Sequence, residues 1–276
     1  MSIKRQPIGV FDSGVGGLTA LTKLAELLPY EDLLYLGDTA RVPYGNRSTQ
    51  TIQYYANQCV DFLHKHGVKL ILVACNTISS VALLEIEKNS AVPVIGVIKP
   101  AVAAALNNTL KHEKIGIIGT RATIQSQSYA QEIYHLSGDE KIVVCAQACP
   151  LFVPLIEEGW HEHSATYAIA QEYLLPLQEA QIDTLILACT HYPLLKKMIR
   201  DIMPGVRLID SGEEAAVQVA QTIQAKMQAT GQDLLKTARS IECYMTDMTT
   251  TSLHFAQQLL GVSSEAVHQI SIEKEV

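Results

Sequence analysis

The 276-residue chain is long enough for one large domain or two modest ones, and 48% of it is hydrophobic, as in a protein with a sizeable core. Its 28 acidic residues outnumber its 21 basic ones for a net charge of −7, and no Lys/Arg run exceeds two residues, so a nucleic-acid-binding surface is excluded. The start carries no apolar secretory signal and no run reaches about 18 apolar residues, so a cytoplasmic protein with no membrane partner is expected.

The first apolar run, 7–11 (PIGVF), is read as a strand that ends at Asp12 in "DSGVGG", before a helix over 17–28. The glycines let backbone approach closely, and neither a dinucleotide fingerprint nor a P-loop lysine is present. A strand at 33–36 leads into the turn-like "VPYG" at 42–45, and a helix is expected over 49–66. The strand at 69–74 runs into Cys75, Asn76 and Thr77, followed by a helix over 79–88, a strand at 93–97 and a helix over 99–110. The second half repeats the alternation. Strands are expected at 115–118, 141–145, 183–188, 206–209 and 241–245, and helices over 122–136, 163–180, 193–202, 212–230 and 250–260. Strand–helix alternation with continuous apolar strands predicts an α/β fold of mainly parallel sheets flanked by helices. In such sheets ligands bind beyond the carboxyl ends of the strands, where Asp12, Cys75, Thr120 and Cys189 fall.

Two stretches echo each other. "IGVFDS" at 8–13 aligns with "IGIIGT" at 115–120, and "LILVACNT" at 70–77 with "TLILACTH" at 184–191. The separations are nearly constant, so two similar α/β halves are expected, facing each other across one cleft with a thiol on each wall. A thiol of ordinary pKa ~8.5 gains thiolate character beside helix N–H groups or a cation. Inverting the stereocentre of a carbon acid needs a base on one face and an acid on the other, with the roles exchanged after turnover. One thiolate and one thiol meet that need in both directions.

Other cysteine readings are weaker. The six cysteines form no CxxC pair and are read as free thiols, with Cys59, Cys145 and Cys243 as core fillers. Cys145 and Cys149 (CxxxC) with His161 and His163 (HxH) have neither finger nor ribbon spacing, so no metal site is expected. No lysine sits in the strand-end motifs to anchor pyridoxal phosphate; Lys99 in "VIKPA" is the nearest.

The motifs "IGVFDSGVGGLTAL", "YLGDTARVPYGNRS", "ACNTISS", "IGIIGTRATI", "CPLFVPLIEEG", "LACTHYPLL" and "LIDSG", in that order over nearly the whole chain, closely resemble the glutamate racemases. These cofactor-independent enzymes interconvert L- and D-glutamate and supply the D-form for bacterial peptidoglycan, and thus for cell-wall biogenesis and cell shape. The resemblance implies that Cys75 deprotonates D-glutamate with help from Asp12. It implies that Cys189 deprotonates L-glutamate with help from His191 and from Glu157, although Glu158 lies next to it. It also implies substrate contacts at Asp12, Ser13, Tyr44, Gly45, Asn76, Thr77, Thr120, Thr190 and His191. The implied domains are 1–98 with 208–276, and 99–207; a homodimer is left open. Two rivals remain: an aspartate or hydantoin racemase with the same proton chemistry, and a two-lobed protein that binds an amino acid without chemistry. "CTHYP" favours glutamate over the first, and the paired thiols argue against the second.

Overall fold

The computed structural model describes residues 6–107, 114–139, 141–230, 239–261 and 263–272. The strands are β1 (Ile8–Asp12), β2 (Leu33–Gly37), β3 (Leu70–Val73), β4 (Val94–Gly96), β5 (Lys114–Gly119), β6 (Val143–Ala148), β7 (Thr184–Ala188), β8 (Arg207–Asp210), β9 (Ile241–Met245) and β10 (Val267–Gln269). The helices are α1 (Leu18–Leu27), α2 (Thr49–Lys65), α3 (Asn76–Val81), α4 (Leu83–Asn89), α5 (Ile98–Leu106), α6 (Arg121–Gln125), α7 (Ser128–Ser137), α8 (Phe152–Glu157), α9 (Ser164–Glu179), α10 (Lys196–Ile202), α11 (Ser211–Thr230) and α12 (Thr250–Leu260).

Two separate sheets form, in the orders β10-β9-β2-β1-β3-β4 and β6-β5-β7-β8, and every pairing is parallel. The expected α/β architecture is therefore present. Parallel strands need helical crossovers that cover both faces, which is why β1, β2, β3 and β7 are buried along their whole length. The run β2-β1-β3-β4 has the same order as β6-β5-β7-β8, with β1 matching β5 and β3 matching β7. That match is the structural form of the sequence echo, and it puts Cys75 and Cys189 after equivalent strands. β9 and β10 return to the first sheet late in the chain, while β8, at 207–210, pairs with β7 in the second sheet.

Helix α11 lies along the seam, packed on α1 and on α5. One core cluster runs through it, from Leu21 and Leu24 of α1 to Ile115 and Ile186 of the second sheet. Several elements differ from expectation. The helix expected over 79–88 starts earlier, at Asn76, and breaks at Ala82, whose φ of −127° is not helical. The helix expected over 122–136 is split by Gln127, which adopts a left-handed φ of 55°. The strand expected at 141–145 is shifted to 143–148 as a half-exposed edge strand, so Cys145 is only partly buried; Cys59 and Cys243 are buried as expected. Residues 108–110 of the expected helix over 99–110 lie outside the described residues.

Candidate active site

The site forms where β1, β3, β5 and β7 end. A cavity of about 290 Å³ is lined by Ser13, Tyr44, Gly45, Cys75, Asn76 and Thr77 from the first sheet's side, and by Thr120, Glu157, Cys189, Thr190 and His191 from the second's. Its size suits a small ligand. Asp12 lies buried behind this lining.

On the first side the glycine loop wraps Asp12. The backbone N–H groups of Gly14 and Gly17 each donate to Oδ2 at 3.1 Å, while Oδ1 is buried without a hydrogen-bond partner. A Cβ on Gly17 would lie 2.6 Å from that of Asp12, so only glycine lets the loop close this tightly. The buried Tyr35 hydroxyl pins the loop by donating to the Gly14 carbonyl at 2.7 Å. Burial raises the Asp12 carboxyl above its ordinary value, against the opposing effects of the His191 charge, the two glycine N–H groups and the Cys75 thiol. Cys75 donates to Ser13 Oγ at 3.4 Å. Its thiol is pushed up to about 12 by burial and by the Asp12 charge, despite hydrogen bonding to Ser13 and to the Ile78 N–H. Tyr44 is held by its hydroxyl, which donates to the buried Asp38 carboxylate; Asp38 also accepts from Arg41 Nε at 2.7 Å and Thr246 Oγ1 at 2.9 Å.

On the second side, His191 Nε2 lies 3.1 Å from Glu157 Oε1. Of the adjacent Glu157 and Glu158, Glu157 is thus the one that reaches the imidazole. Burial alone would lower His191, but hydrogen bonds to Cys189 and Glu157, and the negative charge on both, lift it to about 10. His191 therefore carries its proton at neutral pH, next to Cys189. The two sides touch closely. Thr77 and Thr120 share a hydroxyl hydrogen bond at 3.0 Å, and Thr19 Oγ1 donates to the Thr190 carbonyl at 3.1 Å.

Among the described residues no lysine lines the cavity, and Lys99 is exposed on α5. Among the described residues, no group of three His, Cys, Asp or Glu side chains is placed to hold a metal. His163 instead caps α9 through Nδ1 and stacks on Trp160.

Comparison with known proteins decides the family. The family model for Asp/Glu/Hydantoin racemase matches residues 11–219. A curated glutamate racemase from Syntrophus aciditrophicus is 44% identical over 267 residues, covering 96% of this chain and 97% of that protein. The chain belongs to the glutamate racemases. The crystal structure of a Francisella tularensis glutamate racemase in complex with D-glutamate matches with a TM-score of 0.87 at 36% identity, covering 97% of this chain and 98% of that one. A Bacillus anthracis glutamate racemase matches with a TM-score of 0.88, also at 36% identity and with the same coverage. The two-domain α/β class is shared with these racemases, and the chain is an enzyme of that class.

Pocket residues that the sequence left unassigned include Arg121, Pro150, Val153, Pro154 and Tyr192. Most come from or flank α8. Pro154 discourages a helix there in a sequence reading, yet it is the third helical residue, where its missing N–H breaks no hydrogen bond. The Tyr192 hydroxyl donates to the Cys149 carbonyl at 2.9 Å, tying the end of β7 to the segment entering α8.

Proposed function

We propose that the chain interconverts L- and D-glutamate by a two-base transfer between Cys75 and Cys189, without metal or pyridoxal phosphate. One observation carries the reading: two cysteines after equivalent strands of two like-ordered sheets line one small cavity, each with its own polar partners. With L-glutamate, the Cα–H bond breaks and the proton passes to a Cys189 thiolate, while the Cys75 thiol delivers its proton to the opposite face. The D-enantiomer departs with the thiol states exchanged, and proton exchange resets them. His191, protonated up to about 10, supplies the positive charge beside Cys189, and Glu157 holds its ring. Asp12, with its unpartnered Oδ1, is the group placed to take the Cys75 proton in the reverse direction. Ser13, Tyr44, Gly45, Asn76, Thr77, Thr120 and Thr190 surround the substrate's carboxylates and ammonium. Asn76 does so through its backbone N–H, because its side-chain amide is bonded elsewhere, and Tyr44 through its ring, because its hydroxyl is bonded to Asp38. The free hydroxyl and backbone N–H groups of this lining stabilise the carbanion by hydrogen bonding. A Francisella relative of the same fold is known with D-glutamate bound, which supports glutamate over aspartate or a hydantoin.

We further propose a division into 1–98 with 208–276, and 99–207, except that β8 stays whole with the second sheet, and a cytoplasmic role in supplying D-glutamate for peptidoglycan. No helix among the described residues is long and apolar enough to cross a membrane, which accords with that placement.

The test is loss of optical rotation from L-glutamate, with and without chelator, together with Cys75→Ser and Cys189→Ser. Serine keeps the shape but is a far weaker acid, so racemisation should fall by orders of magnitude in both. With 3-chloroglutamate one base suffices: it takes the α-proton, the C–H pair forms the α,β double bond, and chloride leaves. Cys75→Ser should then process the L-enantiomer and Cys189→Ser the D-enantiomer. If both variants prefer the same enantiomer, the two-base reading is wrong.

A further inference from the structure

Among the described residues the two sheets share no backbone ladder, so nothing in that strand pairing fixes the distance between the thiols they carry. Side chains must do so. Asn76, the residue after Cys75, lines the cavity, yet both ends of its amide are engaged away from it. The Tyr129 hydroxyl of α7 donates to Asn76 Oδ1 at 2.5 Å. Asn76 Nδ2 donates to Ser211 Oγ at 3.0 Å, and Ser211 Oγ donates to the Leu187 carbonyl at 2.9 Å. Leu187 stands two residues before Cys189.

The direction of this chain is forced. A serine hydroxyl has one proton, and Ser211 gives it to Leu187, so it can only accept from Asn76. That fixes the amide nitrogen towards Ser211 and leaves its oxygen for Tyr129. Asn76, Tyr129 and Ser211 are 2%, 2% and 1% exposed, so water cannot replace a lost partner cheaply. Ser211 is the first residue of the seam helix α11, and Tyr129 sits on a helix of the second half. The chain of bonds therefore runs from the backbone at one thiol to the backbone at the other.

We propose that Ser211 and Tyr129 are positioning residues that set the spacing of Cys75 and Cys189 by clamping Asn76 to the end of β7. The inference rests on the two-thiol reading and deepens it. Racemisation needs both thiols on one Cα, whereas elimination from 3-chloroglutamate needs one. A misplacement of about 1 Å costs up to about 100-fold in rate where geometry is critical. In Ser211→Ala and Tyr129→Phe, kcat for racemisation should fall by about 10- to 100-fold, while kcat for elimination stays within about threefold. The double variant should lose little more than the worse single one, because both act through one amide. A merely structural role would lower both rates together.

The measurement is the ratio of the two kcat values in each variant. Should Ser211→Ala fail to fold, Tyr129→Phe, which keeps the ring, decides alone. A ratio equal to that of the unaltered protein overturns the inference, whether both rates hold or both fall. The two serine variants at Cys75 and Cys189 separate this failure from that of the two-thiol reading. If they show opposite enantiomer preferences and the ratio is unchanged, only the clamp is wrong.

Discussion

Gly16 offers a direct test of how closely the two halves must meet. It lies in the glycine loop of the first half, but a Cβ placed on it would sit 2.3 Å from Thr190 Oγ1 and 2.5 Å from His191 Nδ1 in the second. Neither neighbour can swing away freely. Both are buried, His191 is bonded to Glu157, and the Thr190 backbone is bonded to Thr19. Ordinary heavy-atom contact begins near ~3.5 Å, so in Gly16→Ala the end of β7 must retreat by about 1 Å. Overpacking of this kind costs about 1–3 kcal/mol, which for a chain of this size lowers Tm by roughly 2–5 °C. The same displacement moves Cys189 away from Cys75, so kcat should drop by as much as about 100-fold.

The assay is a thermal melt beside polarimetric kcat, with Gly14→Ala as the stability comparison. A Cβ on Gly14 meets only Val42 Cγ1, at 3.2 Å, and Val42 is partly exposed and able to yield. Gly16→Ala should therefore melt several degrees below Gly14→Ala. If Gly16→Ala matches the unaltered protein in both Tm and kcat, close approach of the halves is not what this glycine provides.

His191 is raised from about 6.5 to about 10, so its contribution to stability is full below pH 6.5 and declines as pH rises through 10. The stability gap between the unaltered protein and His191→Asn should accordingly be widest at pH 6 and close by pH 10, as read from denaturant midpoints; a gap that widens with pH refutes the pairing. Asp38→Asn breaks a buried ion pair with Arg41 and weakens the hold on Tyr44, which lines the cavity. A loss of about 3–5 kcal/mol and a raised KM are expected, and a variant of normal Tm would count against this network. Lys196 bridges Asp210 at 2.8 Å and Glu213 at 3.0 Å near the seam. As these groups are partly exposed, Lys196→Met should cost only about 1 kcal/mol. Burial would raise Glu213, but Lys196 outweighs it and lowers the carboxyl, so the deficit should shrink as pH falls below about 4.

Much of this fold is legible because buried parallel strands carry unbroken apolar runs: "GVF" before Asp12, "LILV" before Cys75 and "LILA" before Cys189. Where an apolar strand stops at a thiol and short polar residues, the site can be read directly. The start of α3 is harder to see, because Asn76 and Thr77 look like loop residues until their place after Cys75 is known. β10 is three residues long, too short for a period to declare itself. The seam is the least legible feature. Asn76 meets Tyr129 and Ser211 across separations of 53 and 135 residues, and no spacing rule marks such partners. Gly16 reads only as a loop glycine, since the atoms that require its missing Cβ belong to the other half.

The two halves are alike in strand order but not in charge, and on the two-thiol reading this difference has a purpose. Cys75 is buried beside a carboxylate, and burial, with that charge added, pushes its thiol up to about 12 and keeps it protonated at neutral pH. Cys189 lies beside an imidazole that stays protonated up to about 10. Identical surroundings would leave neither thiol preferred as acid or base, and both could sit in the same state for much of the time. An anion behind one and a cation beside the other bias the resting pair towards a donor at Cys75. The reverse direction then needs Asp12 to accept the Cys75 proton, and its own carboxyl is raised by burial, which makes it a better acceptor than an ordinary aspartate. On the proposed mechanism, doubling the strand order would place two acid–base groups on one carbon, and the unlike residues at 12, 157 and 191 would set which of them starts with the proton.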